Sequence, residues 1–81
     1  MTEINNLLNQ ESEIDKEIIK LIKKRRELSE RIEEVKIKQK LPMNDSERTR
    51  AVLKNVMGTS GGVESEFVEK FYTEIIDYCG E

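Results

Sequence analysis

The run IDKEIIKLIKKRRELSERIEEV, Ile14 to Val35, contains neither glycine nor proline, and Ile14, Ile18, Leu21, Leu28, Ile32 and Val35 recur in alternating steps of three and four around a gap at Arg25. The same freedom from helix breakers extends outward from Thr2 to about Lys40. On a heptad, Leu7, Ile14, Leu21, Leu28 and Val35 form one row, and Ile4, Glu11, Ile18, Arg25 and Ile32 form the other. Two adjacent rows make a narrow seam of coiled-coil type, so the spacing predicts one helix over about 2–40. On its polar side Lys23–Glu27 and Arg26–Glu30 stand four apart, each pair adding about 0.2–0.5 kcal/mol.

The length of that helix carries a second message. About 37 helical residues at roughly 1.5 Å each span about 55 Å, whereas a compact domain of this size has a radius of gyration of only about 12 Å. The helix outruns its own domain. Geometry therefore predicts that another chain covers its seam, and the fold class expected is all-α and oligomeric.

Downstream, Leu41-Pro42 is expected to end the helix, because a residue before proline avoids the α region. Asn44, Asp45 and Ser46 offer N-caps for a second helix, with Glu47 placed for a capping-box contact. That helix is expected over about 46–57, with Val52, Leu53 and Val56 inward and Gly58 as C-cap. Thr59-Ser60-Gly61-Gly62 reads as a flexible loop. A third helix is expected over about 65–78, where Phe67, Val68, Phe71, Tyr72, Ile75, Ile76 and Cys79 recur at helical spacing. No strand pattern or internal repeat interrupts what reads as one domain over 1–81.

Composition narrows the chemistry. The net charge of −3 gives no global attraction to nucleic acid or an anionic membrane. The charge is uneven, however: residues 1–41 hold ten Lys/Arg against nine Asp/Glu, and residues 42–81 hold four against eight. Cationic capacity therefore sits in the first half. Without histidine, no Ser-His-Asp or Cys-His site is available, and one cysteine makes neither an intrachain disulfide nor a zinc cluster. No apolar run of about 18 residues predicts a membrane span. The polar N-terminus does not resemble a signal peptide, so a soluble cytoplasmic protein without metal or cofactor is expected.

Arg25 is the anomaly. It occupies a seam position where neighbouring heptads place Ile18 and Ile32, and a guanidinium stays charged at any relevant pH. Either its stem lies on the seam while its head reaches water or a glutamate, or the charge awaits an anionic ligand. Lys36 lies eleven residues on, almost three whole turns, so it projects from nearly the same face about 17 Å along the axis. Ser29 and Ile32 lie between them. Two cations flanking small and apolar side chains suit a dicarboxylate, although Lys36 could equally be a solvated lysine near a helix end. Asp45 and Arg48 could form a cap with an ion pair, or a second cationic contact beside free helix N–H groups. The Lys23-Lys24-Arg25-Arg26 run is followed by Glu27, Glu30, Glu33 and Glu34 and carries no interleaved aromatic. It reads as a solvated face rather than a nucleic-acid site.

The stretch Ile14 to Arg25 resembles the first-helix signature of the all-α chorismate mutase family, also called type II. Arg25 falls on its central substrate-binding arginine. Lys36, then Leu41-Pro42, then Asp45-Ser46-Glu47-Arg48 are similar to its catalytic lysine and its Asp-x-x-Arg, and Phe67 to Ile76 looks like its third helix. The resemblance implies a three-helix chain with a very long first helix, in an intertwined homodimer whose protomers share each pocket. It implies rearrangement of chorismate to prephenate without metal, cofactor or covalent intermediate. Arg25 and Arg48 would grip carboxylates, Lys36 would also reach the ether oxygen, and Asp45 would fix the ring hydroxyl. Three positions depart from the family: Leu8 stands where an arginine reaches the partner's pocket, Thr49 where a glutamate follows Arg48, and Cys79 where a serine is common. A glutamine one turn beyond Cys79 has no counterpart before Glu81. An isochorismate-pyruvate lyase or aminodeoxychorismate mutase of the same fold remains an alternative. So does a non-catalytic module that binds another shikimate-pathway enzyme.

Overall fold

The computed structural model describes residues 2–41 and 46–80. Three helices account for almost all of them: α1 (Thr2–Lys38), α2 (Ser46–Gly58) and α3 (Ser65–Cys79). No strand occurs among the described residues. The molecule measures 58 × 24 × 16 Å with a radius of gyration of 16.4 Å, well above the roughly 12 Å of a compact domain this size. The excess comes from α1, whose 37 residues contain no breaker and are mostly Glu, Lys, Ile and Leu, residues that lose little freedom in a helix or pack along its apolar side.

The end of α1 is closed by its backbone. The Leu41 N–H donates to the Lys36 carbonyl at 2.8 Å and the Lys40 N–H to the Ile37 carbonyl at 3.2 Å. Lys40 itself has φ 56. This is a Schellman closure with a lysine at the left-handed position that glycine usually fills. Pro42, expected to stop the helix, lies outside the described residues. The end of α3 is closed more conventionally by Gly80 at φ 81, whose N–H donates to the Ile76 carbonyl.

The α2–α3 connection differs from its sequence reading. Gly58 is the last residue of α2 and has no positive φ. The carbonyls at that end accept both hydroxyl and backbone donors: Thr59 Oγ1 to Asn55 and Val56, Ser60 Oγ to Met57, and the Thr59 and Ser60 N–H groups to Val56 and Met57. Val63 N–H then donates to the Ser60 carbonyl at 3.0 Å, and Gly62 has φ 83, as the third residue of a type II turn requires. The segment is a hydrogen-bonded turn rather than an open loop.

Packing centres on α3, which contacts both α1 and α2, while α1 and α2 do not approach each other. Its buried residues are Val68, Ile75, Ile76 and Cys79; α2 adds Val52, and α1 adds only Ser29. Phe67, one of the apolar residues recurring along α3, is exposed and stacks on Phe71 with ring centroids 5.9 Å apart. The seam of α1 is uncovered along its length, with Leu7, Ile14, Leu21, Leu28 and Val35 all exposed. Of the two polar-side pairs read from spacing, Arg26–Glu30 forms at 3.5 Å and no Lys23–Glu27 pair is made among the described residues. Both partners of the pair that forms are about half exposed, so it contributes little to stability.

Lys40 makes a direct test of this description. A non-glycine residue in the left-handed region costs about 1–2 kcal/mol, against roughly 0.5–1 kcal/mol of added chain entropy for glycine. Lys40→Gly is therefore expected to stabilise the chain by up to about 1 kcal/mol in a denaturant titration followed by circular dichroism. A loss of stability would mean that α1 does not end through a left-handed residue.

Candidate active site

Because α1 is unbroken from Thr2 to Lys38, the positions of Arg25, Ser29, Ile32 and Lys36 on one face follow from helix geometry. Ser29 is 6% exposed, the most buried residue of that helix, and a serine there lets neighbouring backbone come close. Arg25 and Lys36 are half-buried on either side of it along the axis.

The Arg25 guanidinium is the electrostatic centre of this face. Its Nη1 is buried and has no hydrogen-bond partner, and no carboxylate among the described residues pairs with it. The head group neither reaches a glutamate with that nitrogen nor extends it into water. It borders a partly open cavity of about 190 Å³, walled by Leu21 and Ile22 of α1 and Phe71, Tyr72 and Ile75 of α3. An unsatisfied buried donor costs about 1–3 kcal/mol, more for a charged group. A bound anion would remove that cost.

The remaining sequence-derived positions are less converged. Lys36 and Arg48 both have polar partners. Arg48 is exposed and Thr49 half-buried on the first turns of α2, and α2 makes no approach to α1. Asp45 lies outside the described residues. Leu8 is 52% exposed, in the amino-terminal stretch of α1 that this chain leaves uncovered, whereas Cys79 is buried at the end of α3. Within one chain, then, Arg25 and Lys36 share a face, and Arg48 is carried by a separate helix that meets α3 instead. Among the described residues no acidic or cysteine cluster has the arrangement of a metal site, and no helix is long and apolar enough to cross a membrane.

Two features were not legible as functional in the sequence. Tyr72 walls the Arg25 cavity, which spacing alone could not assign to α1 rather than α2. Tyr78 accepts a hydrogen bond from Arg26 Nη1 at 2.7 Å, and the guanidinium carbon sits 4.6 Å from its ring centroid. This contact ties α1 to the end of α3 and lies in a second groove, with Lys23, Glu27, Glu30 and Glu74. The only sequence signal was an arginine next to Arg25, which read as part of a solvated run.

Comparison with known proteins adds to this geometry. The family described as chorismate mutase type II matches residues 7–81. The bifunctional chorismate mutase/prephenate dehydratase of Aquifex aeolicus is 34% identical over 84 residues, covering 98% of this chain and 23% of that protein. A protein of the same description from Buchnera aphidicola subsp. Baizongia pistaciae is 33% identical over 66 residues, covering 79% of this chain and 18% of its own length. The chain thus spans less than a quarter of the length of these curated relatives. No solved structure matches it significantly. With the match extending from the first helix, through Arg25 and Lys36, past the third helix to residue 81, the chain belongs to the chorismate mutase type II family.

Proposed function

We propose that this chain catalyses the rearrangement of chorismate to prephenate. The observation that carries the reading is the buried, unpartnered Nη1 of Arg25 on the same helix face as Lys36. In this reaction the ether C–O bond breaks as a C–C bond forms within one molecule, so the protein need supply no nucleophile. It must hold the enolpyruvyl arm over the ring in a chair-like geometry and oppose the negative charge that grows on the ether oxygen. Arg25 is assigned to one substrate carboxylate. Lys36 is assigned to a carboxylate and to the ether oxygen, where an ammonium interacts more strongly with the transition state than with the ground state. Arg48 and Asp45 are assigned to the second carboxylate and the ring hydroxyl.

The same reading makes the working form an intertwined homodimer in the cytoplasm. Its support is the uncovered seam of α1, a continuous apolar stripe larger than a soluble monomer usually shows. A second chain laid along this stripe would also close the open side of the site. The relatives' description as joint chorismate mutase/prephenate dehydratase proteins supports a partner that consumes prephenate.

Three outcomes are expected. Lys36→Ala should lower kcat at least about 100-fold, the usual cost of removing one transition-state donor, with an unchanged helical circular dichroism spectrum. Undiminished turnover in an assay of chorismate loss would refute its role. Arg25→Ala should raise KM while the ligand-free protein keeps or gains thermal stability, since a buried donor without a partner is removed; a loss of stability with unchanged kinetics would make Arg25 structural. Ile14 is 59% exposed in the single chain, so Ile14→Glu would change an isolated chain by no more than about 0.5 kcal/mol. In a dimer sealed by the seam, the same change should halve the sedimenting mass or abolish cooperative melting.

A further inference from the structure

Ser29 is the one buried polar residue among those described, 6% exposed in the carboxy-terminal half of α1. The helix that packs on α1 is α3, so this burial is made within one chain and does not depend on what covers the seam. Ser29 itself lies off both seam rows, one position after Leu28 and four after Arg25. A buried hydroxyl in a helix commonly donates to the carbonyl one turn back, as Thr73 does to Glu69 at 2.7 Å on α3. Ser29 makes no such bond, and among the described residues its side chain has no hydrogen-bond partner. Alanine would fill the same place without leaving a polar group unsatisfied. The fold uses the small size of this side chain and makes no use of its hydroxyl.

Helix geometry limits what that hydroxyl can meet. Side chains tilt toward the amino-terminal end of their helix and cover the preceding turn. Lys36, two turns and roughly 10 Å after Ser29 on the same face, therefore leans toward it, whereas Arg25 leans away. A molecule held between the two cations passes over Ser29 on the Lys36 side. The carboxylates of such a molecule are matched by charged donors. A neutral donor suits an oxygen that is a weak acceptor in the ground state and gains charge only as the reaction proceeds.

We propose that Ser29 is a further catalytic residue, whose hydroxyl donates a hydrogen bond to the ether oxygen of chorismate beside the Lys36 ammonium. The proposal rests on the mutase reading and adds a second donor to that site. As the ether C–O bond breaks, its oxygen becomes the carbonyl oxygen of the pyruvyl arm, and the new C–C bond forms within the same molecule. No atom leaves, and the hydroxyl keeps its proton throughout. Its hydrogen bond strengthens as charge gathers on the oxygen, which lowers the barrier without tightening ground-state binding. A hydroxyl does this without the desolvation cost of a third cation, and with no internal partner it breaks no bond of the fold to do so.

The test uses Ser29→Ala and Ser29→Cys in the purified full chain, both close to serine in size. Chorismate turnover and thermal melting are measured, with calorimetry on two probes: a bridged bicyclic ether dicarboxylate shaped like the transition state, and its carbocyclic counterpart with CH2 in place of the ether oxygen. Ser29→Ala is expected to lower kcat about tenfold, the size of one hydrogen bond, with KM within about twofold and an unchanged or raised Tm. Ser29→Cys, with its weak S–H donor, should show a smaller fall in the same direction. The unaltered chain should prefer the ether probe, and Ser29→Ala should lose about tenfold of that preference while binding the carbocycle as before. If Ser29→Ala fails to fold, the same comparison in Ser29→Cys decides. Unchanged kcat in the folded variants, or an undiminished preference for the ether probe, overturns the role of Ser29 and leaves the mutase reading standing. An unaltered chain that neither turns over chorismate nor binds either probe overturns both. An ether preference that depends on Ser29 in a chain without turnover supports the hydroxyl contact and overturns the mutase reading alone.

Discussion

A helix of 37 residues with its apolar side chains on one stripe cannot be covered by two helices of 13 and 15 residues. At about 1.5 Å per residue they reach less than half its length. The chain answers this with a division of labour. The apolar face of α3 joins the molecule to itself, meeting α1 on one side and α2 on the other, and it contains most of the buried residues. The stripe of α1 is left for something else to cover. The single chain thus holds together through a surface other than that stripe, and among the described residues no large side chain is fully buried.

That division decides where chemistry can occur. Along α1, the zone around Ser29 is where the helix is most buried, and Arg25 lies one turn before it. The Nη1 of the guanidinium in that place is shielded from water and has no hydrogen-bond partner. Such an arrangement costs folding free energy and strengthens anion binding, because a ligand supplies what the fold withholds. In the proposed reaction, which proceeds within a single dianionic substrate, positioned cations do most of the catalytic work. A chain without histidine is no handicap for it.

Much of this was legible in residue order, and the failures have physical causes. The three helices could be read because their apolar periodicity is local and uninterrupted. Arg25 could be singled out because a permanent charge in a seam row contradicts its neighbours. The exposure of Phe67 was not legible, because helical spacing places it near Val68 and Phe71 without saying how far the neighbouring helix extends. The end of α1 ahead of Leu41-Pro42 was legible, but its closure through Lys40 in a left-handed conformation was not, because side-chain chemistry does not advertise it. Gly58 looked like a cap, but the Thr59 and Ser60 hydroxyls satisfy the same carbonyls. The Arg26–Tyr78 contact joins residues 52 apart, beyond the reach of any local pattern.

The order of residues determined the helices, the face shared by Arg25 and Lys36, and the presence of a stripe too long for this chain to cover, since each follows from a repeat of about 3.6 residues and a rise of about 1.5 Å. Only the tertiary structure decided that α3 rather than α2 meets α1, that Nη1 of Arg25 lacks a partner, and that residues of α3 wall a cavity beside it. These depend on which surfaces meet across the turn at 59–63 and the α1–α2 connection, and contacts between distant segments are set by packing, which no periodicity within one helix encodes.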